Sequence, residues 1–216
     1  RMLVPDEKMT VVPLGIELPV GDAPSASPET PVLGYLSKMT ASLGLGRLVD
    51  AFIELKQRPG LANLKLSATG GQVGADVAYV NTLKARLAAH GLSGDAEFLE
   101  DFDADDRSAY LRTLTVLSVP ADEGEAFGMY ITEALAQGVP VVQPRAGGFP
   151  EVVESTGGGV LYDPGRSGAL VEALESLLLD PARARAMGAR GREVVFDQYG
   201  IDRMAEGVVA VYETLL

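Results

Sequence analysis

Two glutamates separated by seven residues, Glu125 and Glu133, are the side chains in this sequence best placed to do chemistry. They belong to the stretch Gly124-Glu-Ala-Phe-Gly-Met-Tyr-Ile-Thr-Glu-Ala-Leu-Ala-Gln-Gly-Val-Pro-Val-Val-Gln143. Gly124 and Gly128 bracket a turn, and Met129 to Gln137 reads as a short helix. Gly138 suits the left-handed position that ends such a helix, and Pro140 forbids its continuation. Val141-Val142 then reads as a buried strand. If both glutamates were helical, eight steps would set them about 12 Å apart along the axis and ~80° around it. That is the span of a nucleotide sugar from ribose to hexose. The helix start between them offers free N–H groups and a positive dipole end, which suit a phosphate. The residues alone leave a second reading open, in which Glu125 caps the helix dipole and Glu133 is a solvated surface charge.

The rest of the chain must position these groups. With 216 residues, 47% of them hydrophobic, and a mean hydropathy of +0.15, it can bury one sizeable core, so a single domain over residues 1–216 is expected. No run of 18 apolar residues is present, which predicts no transmembrane segment. Pro5, Asp6, Glu7 and Lys8 interrupt any apolar start, so no cleavable signal is expected and the protein reads as cytoplasmic. The absence of cysteine excludes disulfides, thiolate metal sites and a cysteine nucleophile. A single histidine, His90, argues against a histidine metal site or a Ser-His-Asp triad. It precedes Gly91 at an expected helix end, where it complements the dipole. Eighteen basic against 30 acidic residues give a net charge of −12, which makes nucleic acid or an anionic membrane surface a poor partner.

Taken in order, Met9-Thr-Val-Val-Pro-Leu-Gly reads as a strand followed by a turn, and Pro19 to Pro31 as an exposed linker. Val32 to Ser37 is a second strand. A helix from Leu45 carries the stripe Leu45, Leu48, Val49, Phe52 and Ile53, ended by Pro59-Gly60. Carried backward, that stripe passes through Ser42 and Ala41 and leaves Leu43 off the core face. Leu64 to Ala68 is a strand, and Ala75 to His90 a helix with Val77, Val80, Leu83 and Leu87 inward. Glu97-Phe98-Leu99 is a short strand, Asp101 to Asp106 an acidic approach to a helix through Tyr110, and Leu114 to Val119 the next strand. Pro150 starts a helix, Gly159 to Tyr162 is a strand, and Leu170, Val171, Leu174, Leu177 and Leu178 stripe another helix. Pro181 opens a third. Ile201, Met204, Ala205, Val208, Val209, Tyr212 and Leu215 stripe the last, over 201–216. Short apolar strands alternating with helices predict an α/β fold, a doubly wound, Rossmann-like parallel sheet with helices on both faces. Ligands of such sheets bind beyond the carboxyl ends of the strands. The turns after Ser37, Ala68, Leu99, Val119 and Gln143 should therefore line one crevice.

Other glycine clusters compete for attention. Gly70-Gly71-x-x-Gly74 opens a helix, and Asp95 follows at about the distance of a dinucleotide fingerprint. The first Gly-x-Gly spacing is missing there, whereas Gly44-x-Gly46 has it but continues as Arg-Leu-Val without the third glycine. No Walker loop occurs, and Gly157-Gly158-Gly159 reads as a tight turn.

The pattern Glu-x-Phe-Gly-x-x-x-x-Glu-Ala-x-Ala-x-Gly-x-Pro-Val-Val resembles the donor-site signature of family 4 (group 1) retaining glycosyltransferases, which have the two-domain GT-B fold. Val11-Val-Pro-Leu-Gly-Ile-Glu resembles the start of that family's second domain, and Gly34-Tyr-Leu-Ser-Lys through Asp50-Ala-Phe its first βα unit. Glu97-Phe-Leu, Gly147-Gly-Phe-Pro-Glu151 and Gly158-Gly159 fit in turn. The resemblance implies a single donor-binding domain, the second half of a GT-B enzyme. Residues 1–31 would form a lead-in strand and linker, and the N-terminal acceptor domain would be absent. It implies a nucleotide-sugar substrate, UDP- or GDP-linked, and no cofactor or metal. Glu133 would accept the ribose hydroxyls, and Glu125 would hold a donor-sugar hydroxyl. The N–H groups of Phe127, Gly128 and Met129 would meet sugar and diphosphate. Backbone at Phe98 and Leu99 would read the base edge, and Gly70 would lie along the nucleotide. Transfer in such enzymes proceeds by front-face displacement assisted by the leaving phosphate, without a conventional nucleophile.

Two departures accompany the resemblance. The family arginine after the first strand falls on Lys38, which keeps the charge but loses the bidentate fork. The family lysine five residues later falls on Leu43, which removes a cation from the leaving diphosphate. That substitution leaves open a catalytically weakened nucleotide-binding or partner module. An isolated second half is expected to bind the donor and transfer nothing, with the apolar stripe of the last helix exposed.

Overall fold

In a computed structural model that describes residues 5, 8–21, 28–99 and 107–214, six parallel strands form one sheet. They are β1 (Val32–Leu36), β2 (Lys65–Thr69), β3 (Ala96–Phe98), β4 (Val116–Leu117), β5 (Val141–Pro144) and β6 (Gly159–Tyr162). The order is β3-β2-β1-β4-β5-β6, with Gly34 of β1 in register with Ser67 of β2 and Leu117 of β4. The direction of winding reverses between β1 and β4, so the crevice at their carboxyl ends is the topological switch point. The expected acidic approach at Asp101–Asp106 lies outside the described residues, as does Leu215.

The helices are α1 (Leu45–Leu55), α2 (Ala75–Ala89), α3 (Arg107–Arg112), α4 (Met129–Ala136), α5 (Phe149–Thr156), α6 (Ala169–Leu178), α7 (Pro181–Gln198) and α8 (Ile201–Glu213). They cover both sheet faces and bury continuous apolar strands, as the composition requires. Helix α7 starts on Pro181 behind Asp180, whose carboxylate accepts from Arg183 N–H at 2.9 Å. Its buried face is Ala184, Gly188, Gly191 and Val195. A Cβ at Gly188 would strike the carbonyl of Gly138, and one at Gly191 would meet Leu135 and Gly158. These small residues let α7 lie directly against α4, the helix that carries Glu133.

Several sequence expectations shift. The lead-in strand over Met9–Gly15 does not form. Ile16 alone bridges to Gly200, with Ile16 N–H donating to Tyr199 O at 2.9 Å and Ile201 N–H to Ile16 O at 3.0 Å. Val11, 85% exposed, has no sheet to pair with. The strand over Leu114–Val119 contracts to Val116–Leu117, although the flanking residues stay buried. Val77 faces solvent at 43% exposure, leaving Val80, Leu83 and Leu87 as the inner face of α2. On α1 the buried face takes Leu55, whereas Ile53 is only half-buried. The backward extension of α1 also fails. Ala41–Leu43 is a separate 3-10 turn, and Gly44 at φ 79° caps the helix, held so close to Pro120 that a Cβ would strike its carbonyl. Leu43 is therefore set by the turn and packs, half-buried, against the core. Helix α8 buries no residue, and Ile201, Val208, Val209 and Tyr212 of its stripe are exposed.

Candidate functional site

Helix α4 rises from the crevice at the end of the loop that follows β4. Gly128 at φ 75° turns the chain into it, in the left-handed region open to glycine. None of the described residues accepts the N–H groups of Phe127, Gly128 or Met129, so the positive end of α4 is open to a ligand. This loop interlocks with the one after β5. Gly148 N–H donates to Glu125 O at 2.8 Å, and a Cβ on Gly147 or Gly148 would run into the backbone of Glu125 or Ala126. The Gly147-Gly148 pair thus fixes the height at which Glu125 stands.

Glu125 is outside the helix, so the eight-step helical geometry does not apply to the pair. Its Oε2 accepts a hydrogen bond from Tyr130 OH. Burial, and then the Glu125 carboxylate itself, push the Tyr130 hydroxyl well above its ordinary pKa, so it remains a donor. One carboxylate oxygen is thereby oriented and the other is left for a ligand. Tyr35 braces the neighbouring turn in the same way. Its buried hydroxyl lies 2.9 Å from Lys38 O and 3.3 Å from Leu43 O.

Glu133 is not a solvated surface charge, because its side chain is only 18% exposed. It lines a cavity of about 530 Å³ between α4, the N-terminus of α3 and residues 15–20. Arg107 Nη2 stands 3.3 Å from Glu133 Oε2, yet no described residue makes a hydrogen bond to that oxygen. Burial raises the Glu133 pKa above the usual carboxylate value, and the Arg107 charge only partly opposes it. A carboxylate whose folded pKa is raised is stabilised in its protonated form. It adds stability below its unfolded pKa, and that contribution is lost as the pH rises through the folded value. Glu133→Gln should therefore raise the melting temperature near pH 8 by about 2–4 °C, taking ~1 kcal/mol for an unsatisfied buried charge. The gain should vanish as the pH falls towards 4.5, the ordinary glutamate value. Calorimetric melting at both pH values checks this, and a variant less stable at pH 8 would contradict it.

The remaining predicted residues lie at the carboxyl ends of the first three strands. Lys38 is 54% exposed, with its ammonium 3.2 Å from Asp76 in the first turn of α2. That contact holds the Asp76 carboxyl below the usual range. Gly70, at φ 124°, passes directly over Ser37, where a side chain would strike the backbone. Leu99 N–H donates to Ala68 O at 2.9 Å, and Thr69 Oγ1 donates to Leu99 O at 3.3 Å. Phe98 stands on β3, an edge strand, with its ring 5.7 Å from Lys84 Nζ. Leu43 presents its carbonyl to Tyr35 and packs its side chain inward. Sequence reasoning missed Tyr35, Tyr130 and Arg107. The first two lie inside an expected strand and an expected helix with no pattern that marks a polar role, and Arg107 carried no signal beyond its place at a helix start.

A six-stranded parallel sheet in 3-2-1-4-5-6 order, with an open helix N-terminus at its switch point, defines a doubly wound ligand-binding domain. Residues 22–194 match the family model for glycosyl transferases group 1, and the chain belongs to that family. It is 30% identical over 177 residues to the GDP-mannose-dependent alpha-(1-6)-phosphatidylinositol monomannoside mannosyltransferase of Mycolicibacterium smegmatis, covering 79% of this chain and 44% of that protein. It is 34% identical over 167 residues to the D-inositol 3-phosphate glycosyltransferase of Salinispora tropica, covering 76% of this chain and 34% of that protein. The chain thus spans less than half the length of these curated relatives. Among solved structures, sucrose-phosphate synthase from Thermosynechococcus elongatus superposes with a TM-score of 0.81 at 25% identity, over 94% of this chain and 52% of that one. HepE of Anabaena, in complex with UDP and glucose, shares the fold with a TM-score of 0.74 at 23% identity, over 84% of this chain and 48% of that one. Among the described residues, no helix is long and apolar enough to cross a membrane.

Proposed function

We propose that this domain binds the nucleotide-sugar donor of a retaining glycosyltransferase, laying it across the crevice from Glu133 to Glu125. The observation that carries the reading is Glu133, a largely buried carboxylate with an unsatisfied oxygen in a cavity beside an open helix N-terminus. Two adjacent ribose hydroxyls supply donors to this carboxylate. The diphosphate then falls at the free N–H groups of Phe127, Gly128 and Met129, with Lys38 as the nearby cation. Gly70 and the backbone at Phe98 and Leu99 flank the base, and Leu43 contributes packing rather than charge. The hexose reaches Glu125, whose free oxygen accepts a sugar hydroxyl. In transfer, the bond from the anomeric carbon to the diphosphate oxygen breaks as the acceptor oxygen bonds to that carbon on the same face. The acceptor's proton passes to the departing diphosphate. The open end of α4 stabilises the charge developing there.

A GDP- or UDP-linked sugar fits this scheme, in keeping with the mannosyltransferase relative and with the UDP held by HepE. The acceptor site belongs to a preceding domain. Calorimetric titration with UDP, GDP and their hexose conjugates tests the reading, and binding of the base or nucleoside alone with equal affinity would contradict it. Glu125→Ala should leave nucleoside diphosphate binding unchanged and weaken only the sugar conjugate, by about tenfold for one lost hydrogen bond to a charged group. Equal loss for both ligands would remove Glu125 from the sugar subsite.

A further inference from the structure

Arg107 stands where a cation would be expected to occupy Glu133, yet it does so only in part. Its Nη2 lies 3.3 Å from Oε2, close enough for an ion pair, while that oxygen receives no hydrogen bond from any described residue. A guanidinium seated in a bidentate fork would consume the lone pairs of the carboxylate. In this geometry it supplies charge to Oε2 without a hydrogen bond. We infer that Arg107 is a positioning residue for the donor nucleotide, holding Glu133 as an oriented anion whose carboxylate accepts from the ribose hydroxyls. The inference rests on the reading of Glu133 as the ribose acceptor.

The surroundings make the charge necessary. Among the described residues lining the Glu133 cavity, the other charged side chains are Arg107 and Glu17, and it is burial that opposes the ionisation of Glu133. On α3, Ser108 is neutral, and Arg112 is engaged 2.8 Å from Gln137 Oε1. From α7, Arg192 donates to Ala136 O and, at 2.6 Å, to Gly21 O. Met129, Gln137 and Ile201, which also line the cavity, carry no charge. Of the described basic groups around this cavity, Arg107 is the one paired with the carboxylate. Without it, nothing would offset burial and the balance would move further towards the protonated acid, whose hydroxyl oxygen donates rather than accepts.

The test compares the parent with Arg107→Gln, Arg107→Lys and Glu133→Gln. The Glu133 carboxyl is titrated by 13C NMR in the free protein, and UDP and GDP binding is measured across the same pH range. In R107Q the Glu133 midpoint should move to higher pH. Nucleotide affinity should begin its acid fall at that higher midpoint, losing about tenfold per pH unit below it. Well above the midpoint, R107Q should bind like the parent, and R107K should keep the parental profile. An unmoved midpoint overturns the inference, as does a moved midpoint with the parental binding profile. If E133Q binds UDP and GDP as tightly as the parent, the ribose reading itself falls and takes the inference with it. If E133Q weakens binding while R107Q keeps the parental profile, only the role of Arg107 falls.

Discussion

Replacing Glu133 with alanine should weaken nucleoside diphosphate binding by about one to two decades. A carboxylate that accepts hydrogen bonds from two hydroxyls contributes roughly 1.5–3 kcal/mol, and each 1.4 kcal/mol is a factor of ten. The structure strengthens this expectation. The carboxylate is already desolvated, so most of its desolvation cost is met on folding rather than on binding. The loss should not come from unfolding, because burial without a hydrogen-bond donor makes Glu133 a burden to the fold. Weaker binding should therefore accompany equal or higher thermal stability. Calorimetry against UDP and GDP, paired with thermal melting, separates the two. Undiminished affinity would move the ribose elsewhere, and a collapse in melting temperature would make Glu133 a structural residue.

The second large effect is expected far from the crevice. Gly188→Leu should destabilise the domain by about 3 kcal/mol or more, at or beyond the upper end of the range for overpacking. That corresponds to a fall of roughly 6–12 °C in melting temperature. Helix propensity alone points the other way, since leucine is favoured over glycine in a helix interior by up to about 1 kcal/mol. Packing decides the sign. The new Cβ would point at the carbonyl of Gly138 and the Pro140 ring, backbone features that cannot rotate away. Gly138 closes α4, so the same clash should lever the Glu133 helix and weaken nucleotide binding. Ala189→Leu, one residue on and exposed, should leave both properties nearly unchanged. Urea unfolding of the two variants reads the contrast, and equal stability would show that α7 is not seated by its small residues.

Periodicity made most of the sheet and its helices legible, because a parallel strand buried on both faces must be apolar and a covering helix must be striped. The pair Glu125 and Glu133 was legible for a different reason: glycines and a proline punctuate the stretch around them and fix where the helix can begin and end. Leu43 was misplaced because helical spacing was carried through Gly44, a residue whose left-handed backbone resets the register. The strand expected over Met9–Gly15 failed because a β-favouring composition forms a strand only where a partner edge exists. The ion pair of Arg107 with Glu133 joins residues distant in sequence, and the Tyr130–Glu125 contact depends on a loop conformation. Local pattern encodes neither. The glycine stripe of α7 was equally hidden, since hydrophobic periodicity does not register a face made of small residues.

The central claim, that the open end of α4 receives the diphosphate of a nucleotide, is tested most directly by amide NMR. The backbone N–H resonances of Phe127, Gly128 and Met129 should shift together and saturably on titration with UDP or GDP, and should remain unmoved by the corresponding nucleoside at equal concentration. Amides of α8 should stay in place. Saturation by either diphosphate with these three resonances unchanged would contradict the account.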